Sequence, residues 1–402
     1  MLSTLRNAWK VPELRKRFLW TIFLVAIFRI GIHIPVPGID TSALSTLTES
    51  GGLLSFYNLI SGGAFTKASI LALSVSPYIN ASIIMQLLTI AIPSLEQLSK
   101  EGEEGRKKIQ SITRYVSIGI ACVLALGVYS TIANLGATSG VGTLEKIVII
   151  FSLVVGSTFC MWLGDQITQK GFGNGVSILI FVNIVSQIPS TVNSVYTLKT
   201  AGEISIIEIL LFLVGVIALL AVTIFFSLAE RRVPIQYAGK AVGSKVMKGQ
   251  STHIPLSIIG SAVIAIIFAM SVMMFPTTIA AFFPSKGWAS WITSSKYSIF
   301  NTGTWMYPVC YAVLTVFFTW FYTQITFKPD EMAENLHKSA GFVPGIRPGE
   351  ATEKYFEKLL TKVSIIGGLF AAFLAVTPIL VGKYISGVQF GGTSLLILIG
   401  VA

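Results

Sequence analysis

Residues Gly51–Leu88, GGLLSFYNLISGGAFTKASILALSVSPYINASIIMQLL, lie among clean apolar spans but cannot form one. Gly62-Gly63 cuts the stretch, Lys67 falls in its middle and Pro77 interrupts the apolar run beyond it. Its first apolar patch, Leu53 to Ile60, covers only about 12 Å at the ~1.5 Å rise of a helix. A bilayer core needs about 30 Å. Half-helices and irregular backbone survive at membrane depth only inside protein or beside water. The stretch therefore predicts the lining, or the stopper, of an aqueous path.

The rest of the chain supplies the membrane context. Of 402 residues, 53% are hydrophobic and 12% charged, more apolar surface than a soluble core could hide. Apolar runs predict ten spans: 18–34, 74–92, 116–133, 147–163, 176–188, 206–228, 255–275, 304–325, 363–381 and 393 onward. The last is about half a crossing long, so the helix is expected to continue past Ala402. Residues 1–17 are basic and lead into a long span without an A-x-A-like cleavage site, as a retained cytoplasmic tail would. Cys122, Cys160 and Cys310 all fall within apolar runs and predict small buried hydrophobes, not disulfides.

Orientation follows from the basic residues. With the N-terminus inside, 22 Lys and Arg face the cytoplasm and six face out, with Arg29 inside a span. After subtracting acids the inner side carries +9 and the outer side +1. Two inner loops, 228–253 and 326–362, are longer than a connection needs and read as structured projections of the kind that carries function. GFGNG (Gly171–Gly175) opens the fifth span and FGGTS (Phe390–Ser394) the tenth, which fits an inverted repeat of two five-helix halves. The halves would be 18–188 and 206–402, with the external loop 189–205 between them.

Other function classes fit less well. A secondary transporter also has broken helices and inverted repeats, but it normally couples ions through acids or histidines deep in the membrane. Here Asp165, Glu208 and Glu230 lie at span ends, and His33 and His253 at span boundaries beside prolines. No buried nucleophile with a base and no HExxH pair is present, so neither an enzyme, a cofactor nor a metal is expected. GFGNG lacks a following GK[ST] and a preceding strand, which makes it a helix start and not a phosphate loop.

Several separated motifs carry a resemblance. RIGIHIPVPGID (Arg29–Asp40), SPYINASIIMQLL (Ser76–Leu88), WLGDQIT with GFGNGVSILIF (Trp162–Phe181), AERRVPIQYA (Ala229–Ala238), QSTHIPL (Gln250–Leu256), GFVPGIRPGE (Gly341–Glu350) and FGGTSLLI (Phe390–Ile397) occur in order on spans of the right polarity. Over its whole length the chain resembles the SecY family, the central channel subunit of the bacterial Sec translocase. The resemblance implies an all-α protein of the bacterial plasma membrane whose two inverted halves close around an hourglass pore. Unfolded polypeptides would pass through the centre, and hydrophobic segments would leave sideways into lipid. It also implies SecE and SecG as partner subunits, the SecA motor ATPase, the ribosome, signal peptides and secretory or membrane protein substrates. Anionic lipids complete the expected partners.

Matching the family's motifs residue by residue places an aliphatic pore ring at Val75, Ile79, Ile180, Ile267 and Ile397. A ring of this kind seals an idle channel by dewetting and makes no specific bond to a passing peptide. The plug would be a short helix over 53–67, including Leu53, Phe56, Tyr57, Gly62, Gly63 and Lys67. The lateral gate would use Asn80, Ser82 and Gln86, with Ser257 and Ser261 as substitutes on the seventh span. Motor and ribosome docking would fall to Arg231, Arg232, Lys240 and Arg347, Gly239 standing where the family tends to have a second basic residue. Arg29 lies toward the outer end of its span, where snorkelling or a packing ion pair is the ordinary expectation.

The seventh span departs from the family pattern, with Ile259 and Ala265 where an Asn and a Pro usually stand. A missing interhelical hydrogen bond weakens closure by roughly 0.6–1.7 kcal/mol. Ile259→Asn is therefore expected to shift a gate-crosslinking equilibrium toward the closed form, and unchanged closure would contradict it.

Overall fold

A computed structural model describes residues 9–39, 61–134, 142–200, 202, 205–237, 241–242, 245–246, 251–258, 260, 262–282, 286–295, 297–301 and 303–384. It divides into two compact units. The first comprises Met1–Thr197 with Met274–Asn301, the second Leu198–Met273 with Thr302–Gly400. One division within the chain separates Met273 from Met274. It falls just before Pro276, whose missing N–H withdraws one bond from the helix around it.

In the first unit, α1 (Pro12–Gly31) opens on a proline in its first turn, where no backbone donor is needed. Residues 61–75 are a run of turns. Val36 N–H donates to the Ala68 carbonyl (2.8 Å) and Ile70 N–H to that of Ile34 (3.1 Å), which ties the run to the chain leaving α1. Phe65, Ala68, Ala72 and Leu73 pack into a core with Val36, Ala125, Ile132, Ile149 and Leu153. Pro77 starts α2 (Ser76–Ala91) and does not interrupt it. Past Ile92 the chain bends by 101° into α3 (Pro93–Lys100). Next come α4 (Glu103–Asn134), α5 (Thr143–Lys170) and α6 (Gly175–Thr200). Pro189 lies inside α6, so the expected external loop 189–205 is helical as far as Thr200. A helix tolerates such a proline where its surroundings re-satisfy the freed carbonyl.

The second unit begins with α7 (Ile206–Ser227), capped by a reciprocal Ser205–Glu208 box. Four strands come next: β1 (Glu230–Tyr237), β2 (Ala241–Val242), β3 (Lys245–Val246) and β4 (Ser251–Ser257). The seventh expected span then becomes α8 (Ala262–Phe282), and α9 (Gly287–Ser294) belongs to the segment that groups with the first unit. The chain closes with α10 (Met306–Phe327), α11 (Pro329–Lys338), β5 (Gly341–Phe342) and α12 (Glu350–Tyr384). The helices α10 and α12 approach closely at Gly368, where a side chain would press on the Val316 backbone at 3.1 Å. Buried Thr315, Thr319 and Thr323 each donate to the carbonyl one turn back, so these three hydroxyls are satisfied within their own helix.

Among the described residues, nine helices coincide with the first nine expected spans; the tenth, from Thr393, lies outside them. Six stretches are long and apolar enough to cross a membrane by themselves, and the bent pair of α2 and α3 makes a seventh.

The two inner loops are not separate projections. β1 pairs antiparallel with β4 from one loop and with β5 from the other, in the order β4-β1-β5. Val233, Ile235 and Leu256 of the sheet pack with Ala333 and Leu336 of α11, with Val343, and with Phe356 and Leu360 of α12. This small core adds a three-stranded sheet to a mostly helical chain. It also moves the start of the seventh span from Pro255 to Ala262, because Pro255, Leu256 and Ser257 complete the ladder with Glu230, Arg231 and Arg232. Phe356→Ala, at a fully buried position, is expected to destabilise the module by about 3–5 kcal/mol. Limited proteolysis of the purified protein should then cut within 326–349 while the spans stay protected; unchanged resistance would contradict the joint core.

Candidate functional site

The aliphatic positions come first. Val75 is fully buried as the cap residue of α2, and Ile79 N–H donates to its carbonyl at 3.1 Å, which places the two one turn apart on one face. Ile180 on α6 is buried, while Ile79 and Ile267 are half-buried. None of these four is exposed. Val75, Ile79 and Ile180 belong to the first unit and Ile267 to the second; Ile397 lies outside the described residues.

Of the stretch expected as a short helix over 53–67, Leu53, Phe56 and Tyr57 lie outside the described residues. The part described, from Ser61, is turns and not helix, because Gly62 (φ +68°) and Gly63 (φ +85°) both take left-handed backbone. Lys67 Nζ lies 2.8 Å from His33 Nε2, and His33 Nδ1 lies 2.9 Å from the Arg29 carbonyl. One neutral tautomer satisfies both contacts, with Nδ1–H donating to the carbonyl and Nε2 accepting from the ammonium.

The polar residues of α2 do not all share a face. At about 100° per residue, Ser82 and Gln86 fall on the Ile79 side, while Asn80 lies roughly a quarter turn away. Asn80 and Ser82 are half-buried and Gln86 is exposed. Ser257 is on β4, paired with Glu230, so it is not on the seventh-span helix. Ile259 and Ser261 lie outside the described residues, and Ala265 is fully buried on α8.

Arg231 and Arg232 are exposed on β1, and Arg347 is exposed in the loop from β5 to α12. The Arg347 backbone is fixed from both sides. Thr352 Oγ1 donates to its carbonyl at 2.8 Å, and Ile346 N–H donates to the carbonyl of buried Val343 at 3.1 Å. A rigid backbone presenting an exposed guanidinium suits bidentate capture of a partner's carboxylate or phosphate. Lys240 lies outside the described residues.

Two features go beyond the sequence reading. In GFGNG, Asn174 Oδ1 accepts from the Val176 and Ser177 amides at 3.1 and 3.3 Å, which confirms a capped helix start. A side chain at Gly175 would run into the Gly164 carbonyl, so this glycine lets α6 begin against α5. Nearby, Arg114 Nη2 bonds Asp165 Oδ2 at 2.8 Å, and Gln110 Nε2 donates to Asp165 Oδ1 at 3.3 Å. The sequence alone places Asp165 only as an acid at a span end. The signal in it that could have paired this acid is Arg114, the last basic residue before the third span.

Comparison with known proteins agrees with this layout. The SecY family model matches residues 69–402. "Protein translocase subunit SecY" of Rickettsia typhi is 41% identical over 398 residues, covering 97% of this chain and 91% of the relative. The same-named protein of Escherichia coli K12 is 40% identical over 395 residues, covering 96% and 89%. The solved "structure of a protein conducting channel" matches with a TM-score of 0.66 at 18% identity, over 99% of this chain and 94% of that one. Sec61 from a canine ribosome-channel complex matches with a TM-score of 0.61 at 18% identity, over 99% and 94%.

The Arg114–Asp165 pair yields a stability test. Asp165→Leu leaves a partly buried guanidinium uncompensated and is expected to destabilise the protein by about 2–3 kcal/mol. That is below the roughly 3–5 kcal/mol of a fully buried pair, because Arg114 keeps part of its side chain in solvent. Adding Arg114→Met should recover most of the loss in thermal unfolding; a double variant as unstable as the single one would contradict the pairing account.

Proposed function

The chain belongs to the SecY family and is a protein translocation channel, and we propose that it moves unfolded polypeptides across the plasma membrane with its N-terminus in the cytoplasm. The observation that carries the mechanism is the run of turns 61–75, packed inside protein and leading directly into Val75 and Ile79. In this reading Val75, Ile79, Ile180, Ile267 and Ile397 form the waist of the pore. Their branched apolar side chains expel water when the channel is idle and offer a passing backbone no partner to stick to. Residues 53–67 rest against that waist and leave it when a substrate enters. A related solved structure, matched at 17% identity, concerns "the plug domain of the SecY protein", said there to stabilise the closed state and maintain a membrane seal.

Hydrophobic segments leave sideways along α2, where Ser82 and Gln86 lie on the Ile79 face and Asn80 beside it. Polar side chains at this seam supply weak, replaceable contacts to a facing helix, which a gate needs. The stretch around 189–205 is the hinge between the halves. SecE and SecG complete the channel, and anionic lipids hold its basic inner face.

The sheet module supplies the cytoplasmic dock for the SecA motor and the ribosome. Arg347 is its principal contact, supported by Arg231, Arg232 and Lys240. The family membership implies no catalytic residues in this subunit, so the driving energy comes from a partner or from the membrane potential. We predict that Arg347→Glu leaves membrane insertion and thermal stability unchanged but lowers motor-driven import of a precursor into proteoliposomes by about tenfold or more. Import at the parent rate would end the assignment of this residue as a dock. Motor-independent uptake of a small solute would favour a transporter instead.

A further inference from the structure

Arg29 and Asn183 converge on one backbone point from two different helices. A side-chain carbon at Gly62 would lie 2.5 Å from Asn183 Oδ1 and 3.1 Å from Arg29 Nη1, and one at Gly63 would lie 3.2 Å from Gln187 Nε2. Asn183 and Gln187 are one turn apart on α6, so that helix presents an amide to each glycine. The left-handed backbone at both glycines already disfavours any side chain, and the facing groups leave no room for one.

The grip extends to both ends of the turn-rich stretch. Asn183 is fully buried, and its Nδ2 donates to Ser74 Oγ at 3.2 Å, beside Val75. One α6 side chain thus touches the beginning of the stretch at Gly62 and its end at Ser74. From α1, Arg29 meets Gly62, while His33, one turn later, receives Lys67. Arg29 Nη1 is buried with no hydrogen-bond partner among the described residues. A guanidinium does not enter a span without cause, and snorkelling to the interface does not describe an Nη1 lodged against Gly62.

We propose that Arg29 and Asn183 are positioning residues that clamp the Gly62–Gly63 turn, and so set how firmly the segment ahead of it stays seated in the idle channel. The second clause rests on the proposed role of residues 53–67; the first stands on the contacts alone. A segment leaving its seat rotates about the backbone at Gly62 and Gly63, and these two side chains resist that rotation. Arg29 acts by charge and reach, Asn183 by bridging the turn to Ser74. Neither touches the translocating chain.

The test uses the full-length protein in vesicles, with its partner subunits, and reads two quantities. Hydrogen exchange of amides 62–73 reports the clamp, and idle ion leak reports the seal. Arg29→Met and Asn183→Ala are each expected to raise exchange in 62–73 by about tenfold, with exchange in α10 and α12 unchanged, and to raise the leak. Arg29→Lys should restore much of the protection, which loss of packing alone would not predict. If Asn183→Ala cannot be recovered folded, Gly62→Ala pushes the turn away from the same two groups and should give the same rise. Raised exchange with an unchanged leak upholds the clamp and overturns the role of 53–67 as the seal. Unchanged exchange in both Arg29→Met and Asn183→Ala, or in Arg29→Met and Gly62→Ala, overturns the proposal.

Discussion

Within the hydrocarbon of a bilayer, every backbone N–H and C=O that is not in a helix must find its partner in protein or water. Residues 61–75 break helical pairing among apolar helices, and the first unit supplies the missing partners. The chain after α1 supplies Ile34 and Val36 as backbone partners, and α4 and α5 supply the apolar wall. Side chains complete the enclosure, Ser69 Oγ donating to the Gly31 carbonyl at 3.0 Å. A stretch held this way is fixed where its bonds are made, and it turns at Gly62 and Gly63, both in left-handed backbone.

The water-facing side follows a different logic. Exposed charge keeps a fixed place only on a fixed backbone, which two long polar loops do not supply independently. Here the loops share one sheet and one apolar core, with Phe356 and Leu360 at the base of α12 anchoring it to a membrane helix. The loop that carries Arg347 is therefore joined through that core to an apolar helix, not to slack chain.

Much of this is legible in the residues. Span positions follow from apolar runs, and GFGNG announces its helix start through Asn174 and the glycines around it. The hidden part depends on partners distant in sequence. The pairing of Gln236 with Phe342 links strands some hundred residues apart, and nothing local in either segment encodes it. The same pairing explains the misplaced start of the seventh span. Pro255 and Leu256 read as the first residues of a helix, yet they belong to β4, with Leu256 buried in the shared core. Pro93 does carry a local signal, a helix start that closes α2 and opens α3, whereas Pro189 reads as a breaker and is instead absorbed inside α6. Asn183 looks like one more polar residue in an apolar span until the fold brings Gly62 against it.

The central claim is that a polypeptide in transit passes the aliphatic residues at the head of α2 and within α6 and α8. Photo-crosslinking from single probes at Ile79, Ile180 and Ile267 to a precursor stalled in mid-translocation tests it most directly. The account predicts adducts with the precursor from all three positions and none from a probe at Phe225, an exposed position on α7. Adducts with lipid alone from the three isoleucine positions, or precursor adducts from Phe225 as strong as theirs, would contradict it.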